Sequence, residues 1–507
     1  LKLEGDLGEF KLINNGSIAG TATGSNGYSY GIYNNSGTIA TLTNNGLITG
    51  TATGSNVEGY GIYNNSDSIR SLTNKGSIIG TVTGSASESY GIRNESGTIT
   101  TLANNGLITG AATESNGRGR GIYNNSGTIE NLANNGLIIG TSTGSGGKGY
   151  GISNDSGTIS ALTNTGVIYG KTNAIKNENS GDITVNNYGI LVNGKDQDVN
   201  AGISDTNYGL IIKNEGDNIT VGTAGTQDIS IPFYDAEGNI MGERKVTIGN
   251  VAGKNDDKSN SFYGDKKDYI LNALTNTYKV TGENDKVTGS IINAYGTAVV
   301  FEGENKQLTL SGTIVNGGID NSAAISGSDN ADNGDTLILQ SGKIKYKDGS
   351  EVTQNTVVNG KIDMGDGDDT LTVGDGTIIN GTLDGGTGED TLNFGISSSA
   401  KSNSSEREGV RILHNISNFE NMNINTNVTL FEKTIGTDGK ETNLEVTDVS
   451  KITIGKDGNL ILRIDGTNSN SHALSTGNTS GTIESDGGKL LLALNGVGEG
   501  STIDIGM

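Results

Sequence analysis

Hydrophobic and polar positions along the first third of the chain follow a pattern that repeats every 30 residues. A Tyr-Gly pair marks the register at residues 30–31, 60–61, 90–91 and 150–151, and Arg120-Gly121 is the variant. Three apolar positions recur in each unit: Ile32, Ile62, Ile92, Ile122 and Ile152; Leu42, Leu72, Leu102, Leu132 and Leu162; Ile48, Ile78, Ile108, Ile138 and Ile168. A fixed period of this length predicts a stacked repeat array.

Each unit is predicted to contain three short strands and three turns. In the unit that begins at Gly31, apolar residues are interleaved with small polar ones at 38–43 and 47–49, and the turns read Asn34-Asn35-Ser36-Gly37 and Asn44-Asn45-Gly46. Short interleaved runs bounded by Asn and Gly indicate strands joined by tight turns. Each unit then makes one coil, and the predicted fold is all-β, a right-handed parallel β-helix.

Stacked coils place equivalent residues about 4.8 Å apart. We therefore predict a dry interior of Ile and Leu, and a flank where Tyr33, Tyr63 and Tyr123 stack in a row that Arg93 and Ser153 interrupt. The same stacking predicts two asparagine ladders: Asn34, Asn64, Asn94, Asn124 and Asn154; Asn44, Asn74, Asn104, Asn134 and Asn164.

The tips of the units vary more than the neighbouring positions. They lie at 26–29, 56–59, 86–89, 116–119 and 146–149. We expect them to face solvent, because exposed tips tolerate change. The variation is either neutral or lays out a contact edge along the array.

Changes of rhythm divide the chain into four predicted segments. Residues 1–224 form a regular β-helix whose coils shorten after about 180, and residues 225–280 form an irregular insert. Residues 281–427 continue with shorter coils, and residues 428–507 form a more apolar C-terminal cap, which a solenoid needs at its open end. Leu1 lies inside the repeat pattern, so we expect the chain to be part of a longer one.

The amino-acid composition and charge of the chain limit the kinds of function that we expect. The chain has 507 residues, no Cys and a net charge of −23. Nucleic acid is not an expected partner, because its binding depends on Lys and Arg neutralising phosphates. Without Cys there is no disulfide and no Cys nucleophile. No run of 18 apolar residues occurs, so no spanning helix is predicted.

The predicted insert holds the only proline of the chain and a cluster of aromatic residues. The candidate partner-binding residues are Phe233, Tyr234, Phe262, Tyr263 and Tyr269. Aromatic side chains accompanied by a few lysines suit a protein-binding patch on a rigid scaffold. The alternative is a loop whose aromatic residues pack on the array.

Two acidic turns are candidate calcium sites. Residues 385–393 match the calcium nonapeptide GGxGxDxUx, and residues 364–372 match it with one change. Carboxylates and turn carbonyls are ligands that Ca²⁺ prefers. The candidate metal ligands are Asp366, Asp368, Asp369 and Asp390, and the alternative is a pair of purely structural turns. No other cofactor is expected.

No catalytic constellation is recognisable. The two histidines, His414 and His472, are far apart, and a Ser-His-Asp triad needs a histidine within reach of a nucleophile and an acid. No GxSxG, HExxH or P-loop pattern occurs. The sequence therefore predicts a protein without enzymatic activity.

Residues 35–48, which read NSGTIATLTNNGLI, resemble the coil of passenger domains of bacterial type V autotransporter proteins. Residues 359–371 resemble the same passengers, and 460–494 resemble their autochaperone-like segment, which fits the predicted cap. The texture rich in Asn, Ile and Lys is most similar to fusobacterial outer-membrane autotransporter adhesins. The resemblance covers nearly the whole chain and is specific for architecture.

The resemblance implies a secreted passenger at the cell surface, displayed from the outer membrane, that binds a host-cell surface protein or another bacterial surface. Immunoglobulin-superfamily receptors such as the CEACAM proteins are one class of target for fusobacterial adhesins. The alternatives are the stalk of an autotransporter serine protease with its catalytic domain upstream, and a purely structural spacer. Separated Asp, His and Ser motifs upstream of Leu1 would identify the protease.

Overall fold

A computed structural model describes residues 1–4, 8–178, 183–194, 203–213, 218–221, 227–234, 240–250, 261–329, 331, 334–396, 408–436, 441–465, 474 and 481–495. The chain divides into two compact units, 1–254 with 436–440 and 255–435 with 441–507. No helix long and apolar enough to cross a membrane occurs in the described residues.

The first unit consists of short strands separated by Asn- and Gly-containing turns. In chain order they are β1 (Lys2–Leu3), β2 (Glu9–Asn14), β3 (Ser17–Thr23), β4 (Tyr28–Asn34), β5 (Thr38–Asn44), β6 (Leu47–Thr53), β7 (Glu58–Asn64), β8 (Ser68–Asn74), β9 (Ser77–Thr83), β10 (Glu88–Asn94), β11 (Thr98–Asn104), β12 (Leu107–Ala112), β13 (Arg118–Asn124), β14 (Thr128–Asn134), β15 (Leu137–Ser142), β16 (Lys148–Asn154), β17 (Thr158–Asn164), β18 (Val167–Gly170), β19 (Asn173–Asn177), β20 (Ile183–Asn187), β21 (Ile190–Asn193), β22 (Ile203–Asn207), β23 (Leu210–Lys213), β24 (Asn218–Val221), β25 (Gln227–Tyr234) and β26 (Ile240–Asn250).

Three sheets form the faces of the first unit, and each full coil gives one strand to each sheet. Their strands pair in parallel, except that β24 pairs antiparallel with β23. The first sheet has the order β1-β4-β7-β10-β13-β16-β19, the second β2-β5-β8-β11-β14-β17-β20-β22, and the third runs from β3 through β6, β9, β12, β15, β18 and β21 to β23 and β24. Ile32 pairs with Ile62, and Leu42 with Leu72. The predicted stacking of residues 30 positions apart and the parallel β-helix are therefore confirmed.

The interior of the first unit is the predicted stack of aliphatic side chains. Ile32, Leu42 and Ile48 and their equivalents in the following coils are buried in one continuous core. Burying each such side chain stabilises the fold by about 1.5–3 kcal/mol. Both asparagine ladders form, with Nδ2-to-Oδ1 distances of 2.8 Å from Asn34 to Asn64 and from Asn44 to Asn74.

The second unit repeats this architecture with shorter strands. In chain order they are β27 (Phe262–Tyr263), β28 (Lys266–Lys267), β29 (Tyr269–Ala273), β30 (Tyr278–Val280), β31 (Asp285–Thr288), β32 (Ile291–Ala294), β33 (Val299–Phe301), β34 (Gln307–Ser311), β35 (Ile314–Asn316), β36 (Ile325–Ser326), β37 (Thr336–Gln340), β38 (Gly342–Lys345), β39 (Glu351–Gln354), β40 (Val357–Asn359), β41 (Ile362–Asp363), β42 (Thr370–Val373), β43 (Ile378–Asn380), β44 (Leu383–Asp384), β45 (Thr391–Phe394), β46 (Val410–Ile412), β47 (Ile416–Ser417), β48 (Asn421–Ile424), β49 (Asn427–Leu430), β50 (Lys433–Ile435), β51 (Glu441–Asn443), β52 (Lys451–Ile454), β53 (Asn459–Asp465), β54 (Thr482–Ser485) and β55 (Lys489–Asn495).

Parallel pairing again connects successive coils of the second unit. One sheet has the order β27-β30-β33-β36-β41-β44-β47, a second β28-β31-β34-β37-β42-β45-β48-β52-β54, and a third contains β29-β32-β35-β40-β43. Its core is a separate cluster that includes Tyr278, Phe394, Phe419 and Phe431. Residues 262–280, which the sequence assigned to an irregular insert, form the strands β27 to β30 and pair in register with the next coil.

The expectation that the tips of the first unit face solvent is wrong in part. The tips do not face solvent along their whole length, because Val57 and Ser87 are buried. Val57 packs with Ala52, Val82 and Ala112 in a small cluster of its own. Glu58, the first residue of β7, is only partly buried, and its equivalents Tyr28, Arg118 and Lys148 in other coils are exposed.

Candidate functional site

The outer side of the first sheet in the first unit carries an unusual concentration of tyrosine and arginine. Ile32 and Asn34 of β4 point into the coil, and the side chains on the other side of the strand point away from it. Tyr60, Tyr90 and Tyr150 are nevertheless buried, because neighbouring side chains cover them. Successive coils align these outer side chains in rows. The first row is Tyr28, Glu58, Glu88, Arg118 and Lys148; the second Tyr30, Tyr60, Tyr90, Arg120 and Tyr150; the third Tyr33, Tyr63, Arg93, Tyr123, Ser153 and Lys176. We call these three rows the aromatic face.

Tyrosine rings stack along two of these rows at close to the spacing of the coils. In the second row the ring centroids are 4.9 Å apart between Tyr30 and Tyr60 and 5.1 Å apart between Tyr60 and Tyr90. In the third row Tyr33 and Tyr63 are 5.2 Å apart. Each stacked pair contributes about 0.5–1.5 kcal/mol beyond the area it buries. The sequence predicted the third row, whereas the second row is a finding of the structure.

Arg93 continues the third row, contrary to the expectation that it interrupts the stack. Its guanidinium carbon lies 5.2 Å from the ring centroid of Tyr90 and 5.5 Å from those of Tyr63 and Tyr123. Arg120 occupies the second row, and its guanidinium carbon lies 4.7 Å from the ring centroid of Tyr123 in the third row. A planar guanidinium stacks on an aromatic ring, so arginine replaces tyrosine here without a break.

Two glutamates in the first row hold this cluster together. Tyr60 donates a hydrogen bond to Glu58, and Tyr90 donates one to Glu88. Arg93 contacts Glu58 at 3.1 Å, and Arg120 contacts Glu88 at 3.0 Å. Each glutamate therefore neutralises an arginine and also accepts a hydrogen bond from a tyrosine hydroxyl. These contacts fix the orientation of the rings.

Burial determines the protonation states of the cluster. It raises the pKa of Tyr90 well above its usual range, and it raises the pKa of Tyr123 to about 12. Burial opposes the ionisation of Glu88, but Arg120, the hydrogen bond from Tyr90 and Arg118 together lower its pKa. At neutral pH the face consequently presents neutral phenols, carboxylates and guanidinium groups.

A cavity of about 410 Å³ lies at one end of the aromatic face. It opens where Ser153 occupies the third row, between Tyr123 and Lys176 in the neighbouring coils. Four cationic side chains line it, from Arg118, Arg120, Lys148 and Lys176. This polar cavity is the candidate small-ligand site of the face.

The structure describes the predicted aromatic patch only in part, and partner binding there stays a prediction. Phe233 and Tyr234 belong to β25, which pairs antiparallel with β26, and their side chains lie outside the described residues. In the second unit, Phe262 and Tyr269 pack against the core. Tyr263 differs from both, because 66% of its surface is exposed.

The four candidate calcium ligands divide into two pairs with different surroundings. Asp366 accepts a hydrogen bond from the hydroxyl of Thr387 at 2.6 Å, and Asp368 accepts one from the amide of Glu389 at 2.9 Å, both near the surface. Asp369 and Asp390 are buried. Among the residues that the structure describes, no group of three or more His, Asp or Glu side chains has metal-binding geometry. Calcium binding at these turns stays a prediction.

The buried aspartates of the second unit form a ladder of their own. The amide of Asp335 donates to Oδ1 of Asp369 at 2.5 Å, and the amide of Asp369 donates to Oδ1 of Asp390 at 2.7 Å. Oδ2 of Asp369 and of Asp390 is buried without a hydrogen-bond partner in the described part of the chain. Burial and the neighbouring carboxylates raise the pKa of Asp369 to about 7, and that of Asp390 rises to about 7 for the same reasons.

The second row of the aromatic face consists of residues that served in the sequence only as marks of the register. The signal was present in the Tyr-Gly pairs, since a tyrosine repeated every 30 residues next to a glycine has to lie on one line of the array. Comparison with known proteins gives no further guide: no family model matches the chain, and neither does any curated protein or solved structure.

Proposed function

We propose that this chain is the surface-exposed passenger of an autotransporter adhesin, and that it binds through the aromatic face. The observation that carries the proposal is the continuous run of stacked tyrosine and arginine side chains along the outer side of the first sheet. It has no catalytic activity of its own in this proposal. It acts at the cell surface, displayed from the outer membrane.

The composition and rigidity of the face suit protein recognition. Tyrosine and arginine are enriched among the residues that dominate binding energy at interfaces. The rings of Tyr33, Tyr63 and Tyr123 are half-buried, and Tyr28 at one end is 58% exposed. Because the rings are already stacked and hydrogen-bonded, little side-chain entropy is lost when a partner covers them.

The proposed partner is a protein on a host cell or on another bacterium. Immunoglobulin-superfamily receptors, including the CEACAM proteins, are the first candidates, because the resemblance to fusobacterial adhesins points to them. Purified CEACAM ectodomains and epithelial cells are therefore the two probes for the experiment below.

Attachment of beads coated with the chain to epithelial cells tests the proposal. Arg93→Ala removes a cation from the centre of the face, and Arg70→Ala is its matched control, because Arg70 is a paired but exposed arginine on β8 of the second sheet. We expect Arg93→Ala combined with Tyr63→Ala to reduce attachment at least fivefold, and Arg70→Ala to leave it unchanged. Circular dichroism and melting temperature verify the fold of each variant.

A further substitution separates stacking from charge. Arg93→Lys keeps the positive charge but loses the planar group that stacks on tyrosine. We expect attachment to fall with this variant as well. Equal attachment by the wild type and all Arg93 and Tyr63 variants would show that the aromatic face is not the contact surface.

A further inference from the structure

The aromatic face changes character at the fifth coil. The third row contains tyrosine or arginine at positions 33, 63, 93 and 123, and then serine at position 153. Serine is too short to cover the space that a ring fills in the other coils. The cavity of about 410 Å³ occupies this gap, within the range of about 300–1,000 Å³ that is usual for ligand sites.

The cations of the cavity are only partly neutralised. Glu88 contacts both Arg118 and Arg120, at 3.2 and 3.0 Å, so one carboxylate serves two guanidinium groups. Lys176 pairs with Glu178. Lys148 forms no ion pair with any described residue. The cavity therefore carries local positive charge on a chain whose net charge is −23.

Arg120 is the most deeply buried of the cationic side chains that line the cavity. Only 7% of its surface is exposed, and its buried Nε has no hydrogen-bond acceptor among the residues that the structure describes. A buried guanidinium N–H without an acceptor is unfavourable, so the protein compensates this cation incompletely. Burial and the nearby Arg120 and Lys148 lower the pKa of Lys176, which agrees with excess positive charge at this place.

Acidic side chains also line the cavity. Asp155 accepts a hydrogen bond from the hydroxyl of Tyr123 at 3.1 Å and, like Glu178, lines the cavity. Carboxylates beside cations recognise a molecule that has both an anionic group and hydroxyl donors. Tyr123 and Tyr150 add aromatic surface, which suits the C–H face of a sugar ring.

We infer that this cavity binds an acidic sugar unit, a pyranose that carries a carboxylate. The carboxylate faces Arg120, Arg118 and Lys148, and the ring hydroxyls face Asp155 and Glu178. The inference rests on the proposed adhesin function, because it names the glycan component of the surface that the protein contacts.

Saturation-transfer NMR on the full chain tests the inference with three probes: methyl glucuronide, the neutral methyl glucoside and glucose 6-sulfate. Two variants report on the cavity. Ser153→Tyr fills the gap with the residue that the preceding coil carries at this position, Tyr123, so the fold is expected to tolerate it. Lys148→Met removes one cation, and Lys11→Met on β2 of the second sheet is the matched control.

We expect methyl glucuronide to bind and methyl glucoside not to bind. Ser153→Tyr abolishes the signal, Lys148→Met weakens binding at least fivefold, and Lys11→Met leaves it unchanged. Binding of the neutral sugar with equal strength, binding of the sulfate alone, or no binding of any probe would each overturn the inference. The two proposals fail separately: glucuronide binding that persists when cell attachment is absent would contradict the adhesin function alone.

Discussion

Asn74 shows how single residues hold the first unit together. Its Nδ2 donates to Oδ1 of Asn104 at 2.8 Å and to the carbonyl of Leu107 at 3.1 Å, and its Oδ1 accepts from Asn44 at 2.8 Å. All of these groups are buried. The Asn74 side chain is therefore one rung of a buried ladder. If it is removed, solvent water does not reach the polar groups of its neighbours to replace the lost hydrogen bonds.

Replacing this rung is expected to destabilise the protein. Asn74→Ala leaves buried polar groups on Asn44 and Asn104 with fewer partners, at a cost of about 1–3 kcal/mol each. Denaturant unfolding measures the change. The control is Asn45→Ala, because the bond from Asn45 to Asn15 is exposed, and a comparable loss in this control would contradict the explanation.

Asp369 and Asp390 are buried in a ladder of the second unit, where the ladders of the first unit have asparagine. Their pKa values of about 7 lie above the usual aspartate value of 3.8. Between these values the folded state binds more protons than the unfolded state, so their contribution to stability falls as the pH rises from about 4 to 7. Burial lowers the pKa of His414 to about 4, which contributes the opposite slope between about 6.5 and 4.

Comparison with asparagine variants isolates the aspartates from His414. Asp369→Asn and Asp390→Asn keep an acceptor for the ladder amide and remove the charge. We expect the variants to be more stable than the wild type at pH 8, with the difference disappearing towards pH 4. Urea unfolding from pH 4 to 8 gives this difference, and a pH-independent difference would show that the carboxyl groups are not titrating.

At the scale of the elements, a glycine directly follows the second-row residue in β4, β7, β10, β13 and β16. A Cβ on Gly91 would lie 2.6 Å from the carbonyl oxygen of Gly121 and 2.7 Å from Cγ2 of Ile108. Neither distance is compatible with a side chain. The glycine therefore allows one strand to place a tyrosine outside and the next isoleucine inside.

Gly91→Ala is expected to destabilise the first unit by about 1–3 kcal/mol, as overpacking does in other cores. Gly27→Ala is the matched control, since a Cβ there would meet its nearest atom at 3.5 Å. Thermal unfolding followed by circular dichroism compares the two. Similar melting temperatures for both variants would mean that the close approach at Gly91 is easily relaxed.

The sequence predicts the elements of this fold well, because a 30-residue period fixes the strands, the turns and the inward residues together. It predicts the outer surface less well. Val57 was expected at an exposed tip, yet its side chain is buried and packs with Ala52, Val82 and Ala112. Arg93 was expected to break a row of rings, yet it stacks within it. The 30-residue period shows which residues occupy equivalent positions in successive coils. It does not show which contacts a different residue makes at such a position.

On the scale of the whole molecule, each unit has a hydrophobic core of its own. The core of the first unit runs from Leu3 to Ile211. In a stacked array each coil contacts only its neighbours, so stability is a sum over coils and their interfaces. A piece that contains a complete core is therefore expected to fold.

We predict that a fragment of residues 1–213 keeps its β structure and unfolds cooperatively. Far-ultraviolet circular dichroism and a thermal melt test this, with Asn74→Ala in the fragment as a check that the same ladder is present. A fragment without a melting transition would contradict the idea that the first core is sufficient.

The most direct test of the account is a photo-cross-link from the aromatic face to the partner. A photoreactive phenylalanine derivative is placed at position 63, in the third row, or at position 70, on the second sheet, and each protein is incubated with epithelial cells and irradiated. If the chain binds through the aromatic face, we expect a cross-link to a cell-surface protein from position 63 and none from position 70. Cross-links from position 70 alone, or equally from both, would contradict it.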